Sequence, residues 1–410
     1  MSVFLMLMYI RQLLLFLIMH HPGEIVIGAA ALSVIGVIAS ACTSALIERR
    51  GELGSLVKEG LSLTLFFLLF CLADWALLWA LPHLRISFPS TPEIMPPLIV
   101  SIFVRLLSFW GLLGAIVLAR WRGRRQGIEV RPRSAIILFL VIHLVFSAVQ
   151  IDAYAVEPLL VETTELALAF DDLDSAAPPV RVMHITDVHI ERSSFREATT
   201  IQKVNALRPD IILLTGDYLN LSRLSDPTSA AHFRQFIAQL QAPYGIYAVR
   251  GTVEPSLESM AWLVEGTNIV WLEQETVTVN VRGQPVTLVG VACSHQQELD
   301  VARLGQAMEG IPADAFTLLL YHSPDLIFEA ARHQMDLYLG GHTHGGQLCL
   351  PFYGAIVTNS MYGRQYASGL FEEDGTKMYI SRGLGLEGEG MPRARFLCRP
   401  EIVSIKLEGQ

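Results

Sequence analysis

Gly340-Gly341-His342-Thr343-His344-Gly345-Gly346-Gln347 sets two histidines two residues apart between paired glycines, straight after Met335-Asp336-Leu337-Tyr338-Leu339. The apolar run reads as a buried strand. The glycines let the backbone turn sharply and come close to something small. Two imidazoles on a rigid turn at a strand end are good metal ligands. His-x-His alone describes a polar turn equally well, so the case depends on what the rest of the C-terminal half supplies.

It supplies more ligand types, each after an apolar run. Val180 to Thr186 reads as a strand ending at Asp187-Val188-His189. Ile211 to Thr215 ends at Gly216-Asp217, and a carboxylate on an open strand end can bridge two cations. Gly245 to Arg250 ends at Gly251-Thr252-Val253-Glu254, and Phe316 to Tyr321 ends at His322. Helices are expected at 196–208 and 228–241, and a first strand at Val161–Leu168. Strands interleaved with helices give an α/β architecture with these residues at the carboxyl edge. Mixed carboxylate and imidazole ligands suit Mn, Fe or Zn better than Ca or Mg.

Asp187-x-His189, Gly216-Asp217, His322 and Gly341-His342-x-His344 together resemble the calcineurin-type metallophosphoesterases. Gly340 to Gln347, Tyr379 to Gly385 and Arg395 to Ile402 resemble the YkuE-like branch of that superfamily. The match covers about residues 157–407. The resemblance implies an α/β/β/α sandwich with two divalent metal ions. Asp187, His189 and His344 would hold the first, and His322 and His342 the second, with Asp217 bridging. Asp217 and His342 are the residues expected to carry catalysis.

The family's fourth motif, Gly-Asn-His followed by Asp or Glu, is altered here to Gly251-Thr252-Val253-Glu254. Val253 cannot transfer a proton, and Thr252 is a poor neutral ligand. Glu254 is a candidate replacement ligand. The expected function is a metal-dependent phosphoesterase acting on a phosphomonoester or phosphodiester. The alternative is a catalytically impaired sensor that binds a phosphorylated ligand. A pure scaffold would not keep six ligand-type residues. His184 reads as a strand residue and His295 as a loop residue. Arg250 reads as an ion-pair partner, and Arg382 serves a pair or a phosphate equally well. Trp262 and Trp271 read as core or cover, and Gly385 to Gly390, with Glu387 and Glu389, as a loop at the site mouth.

Composition places these elements on a membrane anchor. The chain has 410 residues, 52% hydrophobic and 17% charged, against typical values of about 45–50% and 25%. The excess lies before about residue 153. Apolar stretches at about 25–47, 60–82, 97–119 and 134–153 each suffice to span a bilayer, and 2–19 is a fifth candidate. Residues 1–153 therefore read as an all-α transmembrane region of four to five helices. Residues 154–179 read as a junction with a first strand, and 180–410 as the metallophosphoesterase domain. Arg120, Arg122, Arg124, Arg125, Arg131 and Arg133 place the 120–133 loop in the cytoplasm. The 48–59 loop, with Arg49, Arg50 and Lys58, fits the same side. The catalytic domain is then outside the cytoplasm, on an integral membrane protein whose partners are the lipid bilayer and a phosphate-ester substrate.

Asp74 and Arg105 are intramembrane charges. Counted from the outer ends of their spans they share a depth of about 12 Å, which predicts a pair between neighbouring antiparallel helices. His143 reads as packed, and the small residues of 25–47 suit close helix contact. A net charge of −9 gives no reason to expect nucleic acid. The five cysteines include no C-x-x-C, so neither a zinc knuckle nor a disulfide framework is indicated, and one pair in the C-terminal half remains open.

Overall fold

The computed structural model describes residues 53–126, 133–294, 296–388 and 392–410. The expected spans at 2–19 and 25–47, together with Arg49, Arg50, Arg131, His295, Glu389 and Gly390, lie outside the described residues. The chain divides into two compact units. The first runs to Asp152 without Arg85–Phe88, and the second takes Arg85–Phe88 with Ala153–Gln410.

In the first unit, α1 is Leu53–Ala80, α2 is Thr91–Gln126 and α3 is Arg133–Ile151. Lys58, and Arg120, Arg122, Arg124 and Arg125 of the expected 120–133 loop, are thus inside helices. Each helix contains an apolar stretch long enough to cross a membrane: Ser62–Ala80, Pro92–Gly123, and Ile136 onward to Leu159 through a π turn and a 3₁₀ turn. Leu68, Leu72, Trp79, Phe103, Leu107 and Leu144 face outward. The polar groups face inward, as a bilayer requires.

The expected pair forms there. Arg105 Nη2 lies 2.6 Å from Asp74 Oδ1, and Nε donates to Oδ2 at 2.6 Å. Ser101 also donates to Asp74. The guanidinium continues to α3, donating to Ser147 Oγ at 2.7 Å and Gln150 Oε1 at 3.1 Å. His143 is buried: Nδ1 lies 3.0 Å from Arg105 Nη1 and Nε2 lies 2.7 Å from Ser108 Oγ. One arginine thus ties three helices.

The second unit begins with β1 (Glu162–Phe170), β2 (Val180–Ile185), α4 (Phe195–Leu207) and β3 (Ile211–Leu214). Then come α5 (Pro227–Ile237), β4 (Ile246–Val249), α6 (Leu257–Val264) and β5 (Ile269–Leu272). The chain goes on through β6 (Gln274–Val281), β7 (Gln284–Val291), α7 (Gln297–Ala307), β8 (Thr317–Leu320), α8 (Ile327–Arg332) and β9 (Leu337–Gly340). It closes with β10 (Cys349–Leu350), β11 (Gly354–Ala355), β12 (Gly369–Glu373), β13 (Thr376–Ile380) and β14 (Glu401–Gly409).

Two six-stranded sheets result, β1-β14-β2-β3-β4-β5 and β12-β13-β9-β8-β7-β6. The period-2 alternation of each strand builds the layers. Ile211 and Leu213 of β3 meet Leu318 and Leu320 of β8 in the core between the sheets. Ile212 and Leu214 turn the other way, to a core with Phe233 of α5 and Met260 of α6. Leu319 and Tyr338 turn outward on the second sheet, to Leu304 of α7 and Ala330 of α8. The fold is the expected α/β/β/α sandwich. β2 to β5 run parallel, as do β7, β8, β9 and β13.

The helices start where their caps dictate. Ser194 and Glu197 form a capping box on α4, and Asp226 caps α5 with Pro227 in its first turn. α5 ends at Ile237, short of the expected 241, and Leu240 turns back with its N–H on Ile237 O at 3.0 Å.

A buried ion pair that loses one partner leaves the other charge uncompensated, at about 3–5 kcal/mol. Arg105→Met is therefore expected to lower the stability of the detergent-solubilised protein by about that amount in thermal unfolding. Adding Asp74→Leu should recover most of the loss. A neutral single variant, or a double variant worse than the single, would contradict the pairing.

Candidate metal centre

Every expected site residue lies just past the carboxyl end of a parallel strand. Asp187 and His189 follow β2, Asp217 follows β3, Thr252 and Glu254 follow β4, His322 follows β8, and His342 and His344 follow β9. Ligand atoms of Asp187, His189 and His344 lie within 4.8 Å of one another, and so do those of Asp217, His322 and His342. All six residues are buried.

The groups adjoin. His189 Nε2 is 3.0 Å from His344 Nε2, and His344 Nε2 is 3.4 Å from Asp187 Oδ1. Asp217 Oδ2 lies 3.0 Å from His322 Nε2 and 3.9 Å from His189 Nε2, so one carboxylate reaches both groups. Asp187 Oδ1 is 3.9 Å from His322 Nε2.

The backbone is bent to achieve this. Asp187, His189, Asp217, His342 and His344 all have φ between 45° and 68°. Asp and His enter this left-handed region more readily than most residues, yet it is uncommon outside glycine. Such strain is characteristic of sites where surrounding structure over-determines the conformation. Gly341 shows the crowding: a Cβ there would stand 2.1 Å from Asp187 Oδ2. Instead the peptide passes close enough for His342 N to donate to Asp187 Oδ2 at 3.1 Å.

The electrostatics sort the six groups. Burial by itself pulls the His322 imidazole down, but the carboxylates of Asp217 and Asp187 outweigh it and hold it well above its usual range. Burial likewise opposes ionisation of Asp217, but His322, His189 and His342 keep it well below the usual carboxylate range. Burial pushes Asp187 up to about 6 and pulls His189 down to about 4. Burial, with His189 and Arg395 adding to it, holds His344 well below its ordinary value.

The residues fit a metal. His322 Nδ1 donates to Thr215 O at 2.6 Å, which fixes the tautomer and aims Nε2 inward. That Nε2 is fully buried and makes no hydrogen bond of acceptable geometry, although a carboxylate oxygen stands 3.0 Å away. Two imidazoles and a carboxylate converging here, His322, His342 and Asp217, are a cation's ligand set.

Thr252 and Glu254 stand differently. Glu254 is a candidate ligand from the sequence, but it belongs to neither group. It accepts from the N–H of Tyr218 at 2.8 Å, Gly251 at 3.0 Å and Asp217 at 3.2 Å. Burial and Asp217 push it up to about 7. Thr252 and Val253 give their backbone N–H groups to Asp217 Oδ1 at 2.7 and 2.9 Å, and the Thr252 hydroxyl also points at that carboxylate.

Arg250 is held by Glu273, with Nη2 at 2.6 Å from Oε1, and Arg382 by Glu162 and Glu401. Both are ion-pair partners. His184 is a buried residue of β2, with Nε2 2.8 Å from Thr215 Oγ1. Trp262 and Trp271 pack on the outer core of the first sheet. The loop after Gly385 does begin at the site, since Gly385 N donates to Asp187 O at 2.6 Å.

Arg395, which the sequence offered only as part of a longer tract, proves central. Fully buried, it lies with Nη2 3.2 Å from His344 Nδ1 and donates to His344 O, Gly383 O and Gly385 O. A single loop arginine has no spacing that would mark it.

Residues 180–346 match the family model described as calcineurin-like phosphoesterase. The chain is 28% identical over 270 residues to the uncharacterized metallophosphoesterase YkuE of Bacillus subtilis, covering 62% of this chain and 87% of that protein. It is 25% identical over 304 residues to the UDP-2,3-diacylglucosamine pyrophosphatase LpxG of Chlamydia trachomatis, covering 61% and 90%. It is 26% identical over 336 residues to a transmembrane protein with metallophosphoesterase domain from Bos taurus, covering 76% and 71%.

Metal binding at this centre must displace the proton that the carboxylates hold on His322. Calorimetric titration of Mn or Zn at pH 7, in two buffers of different ionisation enthalpy, is expected to show release of about one proton per protein. Heats that do not depend on the buffer would contradict it.

Proposed function

Because its residues 180–346 form a calcineurin-like phosphoesterase domain, we propose that this chain is a membrane-anchored, metal-dependent phosphoesterase. Asp187, His189 and His344 hold one divalent cation, His322 and His342 a second, and Asp217 stands between them. The observation that carries this reading is the convergence of two buried Asp/His groups on one carboxylate. The chemistry that paired divalent cations supply when bound is polarisation of phosphate oxygens and activation of a water nucleophile. The donor set favours Mn, Fe or Zn.

The chain's own residues set the remaining terms. Asp217 is held in place by two backbone N–H groups and the Thr252 hydroxyl, while His322, His189 and His342 outweigh its burial and keep it ionised. Val253 stands where the family pattern has histidine, so the fourth motif offers no proton to a departing alkoxide. That favours substrates whose leaving group is stable as an anion, such as phosphoanhydrides or aryl esters. LpxG, a relative named as a pyrophosphatase of a diacylated sugar nucleotide, supports a membrane-borne substrate of that kind. The arginine-rich end of α2, with Arg120, Arg122, Arg124 and Arg125, supports a domain outside the cytoplasm. The loss of side-chain chemistry at Thr252-Val253 supports a second reading, in which the domain binds a phosphorylated ligand without turnover.

Metal content and hydrolysis of a generic aryl phosphodiester by the purified protein, with Asp217→Asn as control, separate the two readings. Two metals per chain and a loss of at least roughly 10²-fold in the control are expected. Metal bound without turnover across Mn, Fe and Zn would select the sensor.

The leaving-group dependence is a separate test. Turnover should fall steeply from p-nitrophenyl to alkyl phosphodiesters. Val253→His should raise the alkyl rates by roughly 10²–10⁴-fold while changing the aryl rates far less. Equal effects on both series would remove the leaving-group reading.

A further inference from the structure

The turn that carries His342 and His344 runs straight into the β10–β11 hairpin. Its base is seated firmly. Cys349 N donates to Phe396 O at 2.9 Å, and Ile356 N donates to Leu348 O at 3.2 Å. Ala355 packs so tightly on Gly346 (φ +88°) that a Cβ there would come within 2.4 Å of it. The outer side of this well-anchored element is apolar: Leu350, Phe352, Tyr353, Ile356, Val357 and Met361 are all exposed. Contiguous apolar exposure of this kind marks an interaction surface.

Phe352, at the tip, is fully exposed and has φ +64°. A bulky residue in that conformation is a genuine outlier, and glycine or asparagine would relieve it. Nothing within the second unit is gained by placing a phenylalanine there.

Charge indicates the partner. The chain has 39 acidic residues and a net charge of −9, yet none lies between Leu337 and Phe371. The basic group in that stretch, Arg364, stands 4.0 Å over the Tyr353 ring and donates to Tyr353 O at 2.8 Å. Asp325 reaches this stretch from outside it, but it is taken up by the Ser360 hydroxyl at 2.7 Å and the Met361 N–H at 3.3 Å. The apolar side chains beside the aromatic–cation pair match a bilayer interface with anionic headgroups. A second copy of the chain would bring the same apolar face and the same cation, and so no complementary charge. The bilayer is also always at hand, because the chain carries three helices long and apolar enough to cross one.

We propose that the β10–β11 hairpin inserts Phe352 and its apolar neighbours into the bilayer interface, so that the adjoining metal centre takes a phosphoester carried on a lipid. The surface stands on the hairpin alone, and the substrate clause rests on the phosphoesterase reading. The full-length protein with Phe352→Trp is reconstituted into phosphatidylcholine–phosphatidylglycerol vesicles, with or without bromine on the upper acyl chain. The fluorescence it adds over the parent should be quenched several-fold more by bromolipid than by aqueous iodide. Quenching by iodide and not by bromolipid would overturn the insertion. Adding Ile356→Asp and Val357→Asp should reverse the preference, and lipid quenching that persisted would remove the hairpin as its cause. Hydrolysis of a water-soluble aryl phosphodiester by the same vesicles reads the enzyme separately. Insertion without hydrolysis would overturn the substrate clause alone, and hydrolysis without insertion the surface alone.

Discussion

Four imidazoles and two carboxylates share one buried volume in this protein, and most of what surrounds them answers that constraint. A buried charge is costly unless it is paired and hydrogen-bonded. Here His322 carries its charge against the carboxylates of Asp217 and Asp187, while burial keeps His189 and His344 neutral. The backbone carries its share of the cost, since five of the six residues sit at positive φ. Arg395 behind His344 and the Thr215 carbonyl behind His322 fix two of the rings from outside the group. Two sheets whose parallel strands all end at this place are the means of bringing six such side chains together.

The altered fourth motif is easier to understand in that setting. What residues 252 and 253 give to Asp217 is their backbone N–H groups, which any non-proline residue supplies. Glu254 keeps the loop in place by accepting from three N–H groups around Asp217 and Gly251. The support of Asp217 therefore comes mainly from backbone, with the Thr252 hydroxyl adding to it. Replacing the family's asparagine and histidine removes a ligand and a proton donor and leaves the architecture of the centre intact. On the proposed function, the change at this position would bear on leaving group and turnover rather than on whether the six side chains come together.

The parts legible in the sequence were those set by local pattern. Apolar runs of four to six residues, each ending in Asp or His, marked β2, β3, β8 and β9 and most of the ligands. Two isolated charges at matched depth marked the Asp74–Arg105 pair, because a bilayer leaves them no other partner. What pattern did not reveal was the direction of a side chain after a turn. Glu254 follows its strand as a ligand would, yet one more bend aims it at backbone N–H groups. The hairpin between β12 and β13 carries a readable turn signal, Asp374-Gly375, both at positive φ, although it bears no ligand. The ends of α5 were set by a cap and a turn, which shift boundaries by a few residues.

The two units obey one rule with opposite solvents. In the first, apolar side chains face out and the polar network is enclosed; in the second, apolar side chains form three internal cores, and the charges that are buried either pair, as Arg196 does with Glu197, or gather at the candidate metal centre. The β10–β11 hairpin follows the rule of the first unit although it belongs to the second. It is also the element rooted on the turn that carries His342 and His344. An exposed phenylalanine in a strained conformation contributes nothing to the fold in water, where it costs both hydration and backbone energy. In lipid the same residue gains burial, and only the backbone term remains. A local violation of one solvent's logic that satisfies the other's is what an element working at the boundary between them should look like.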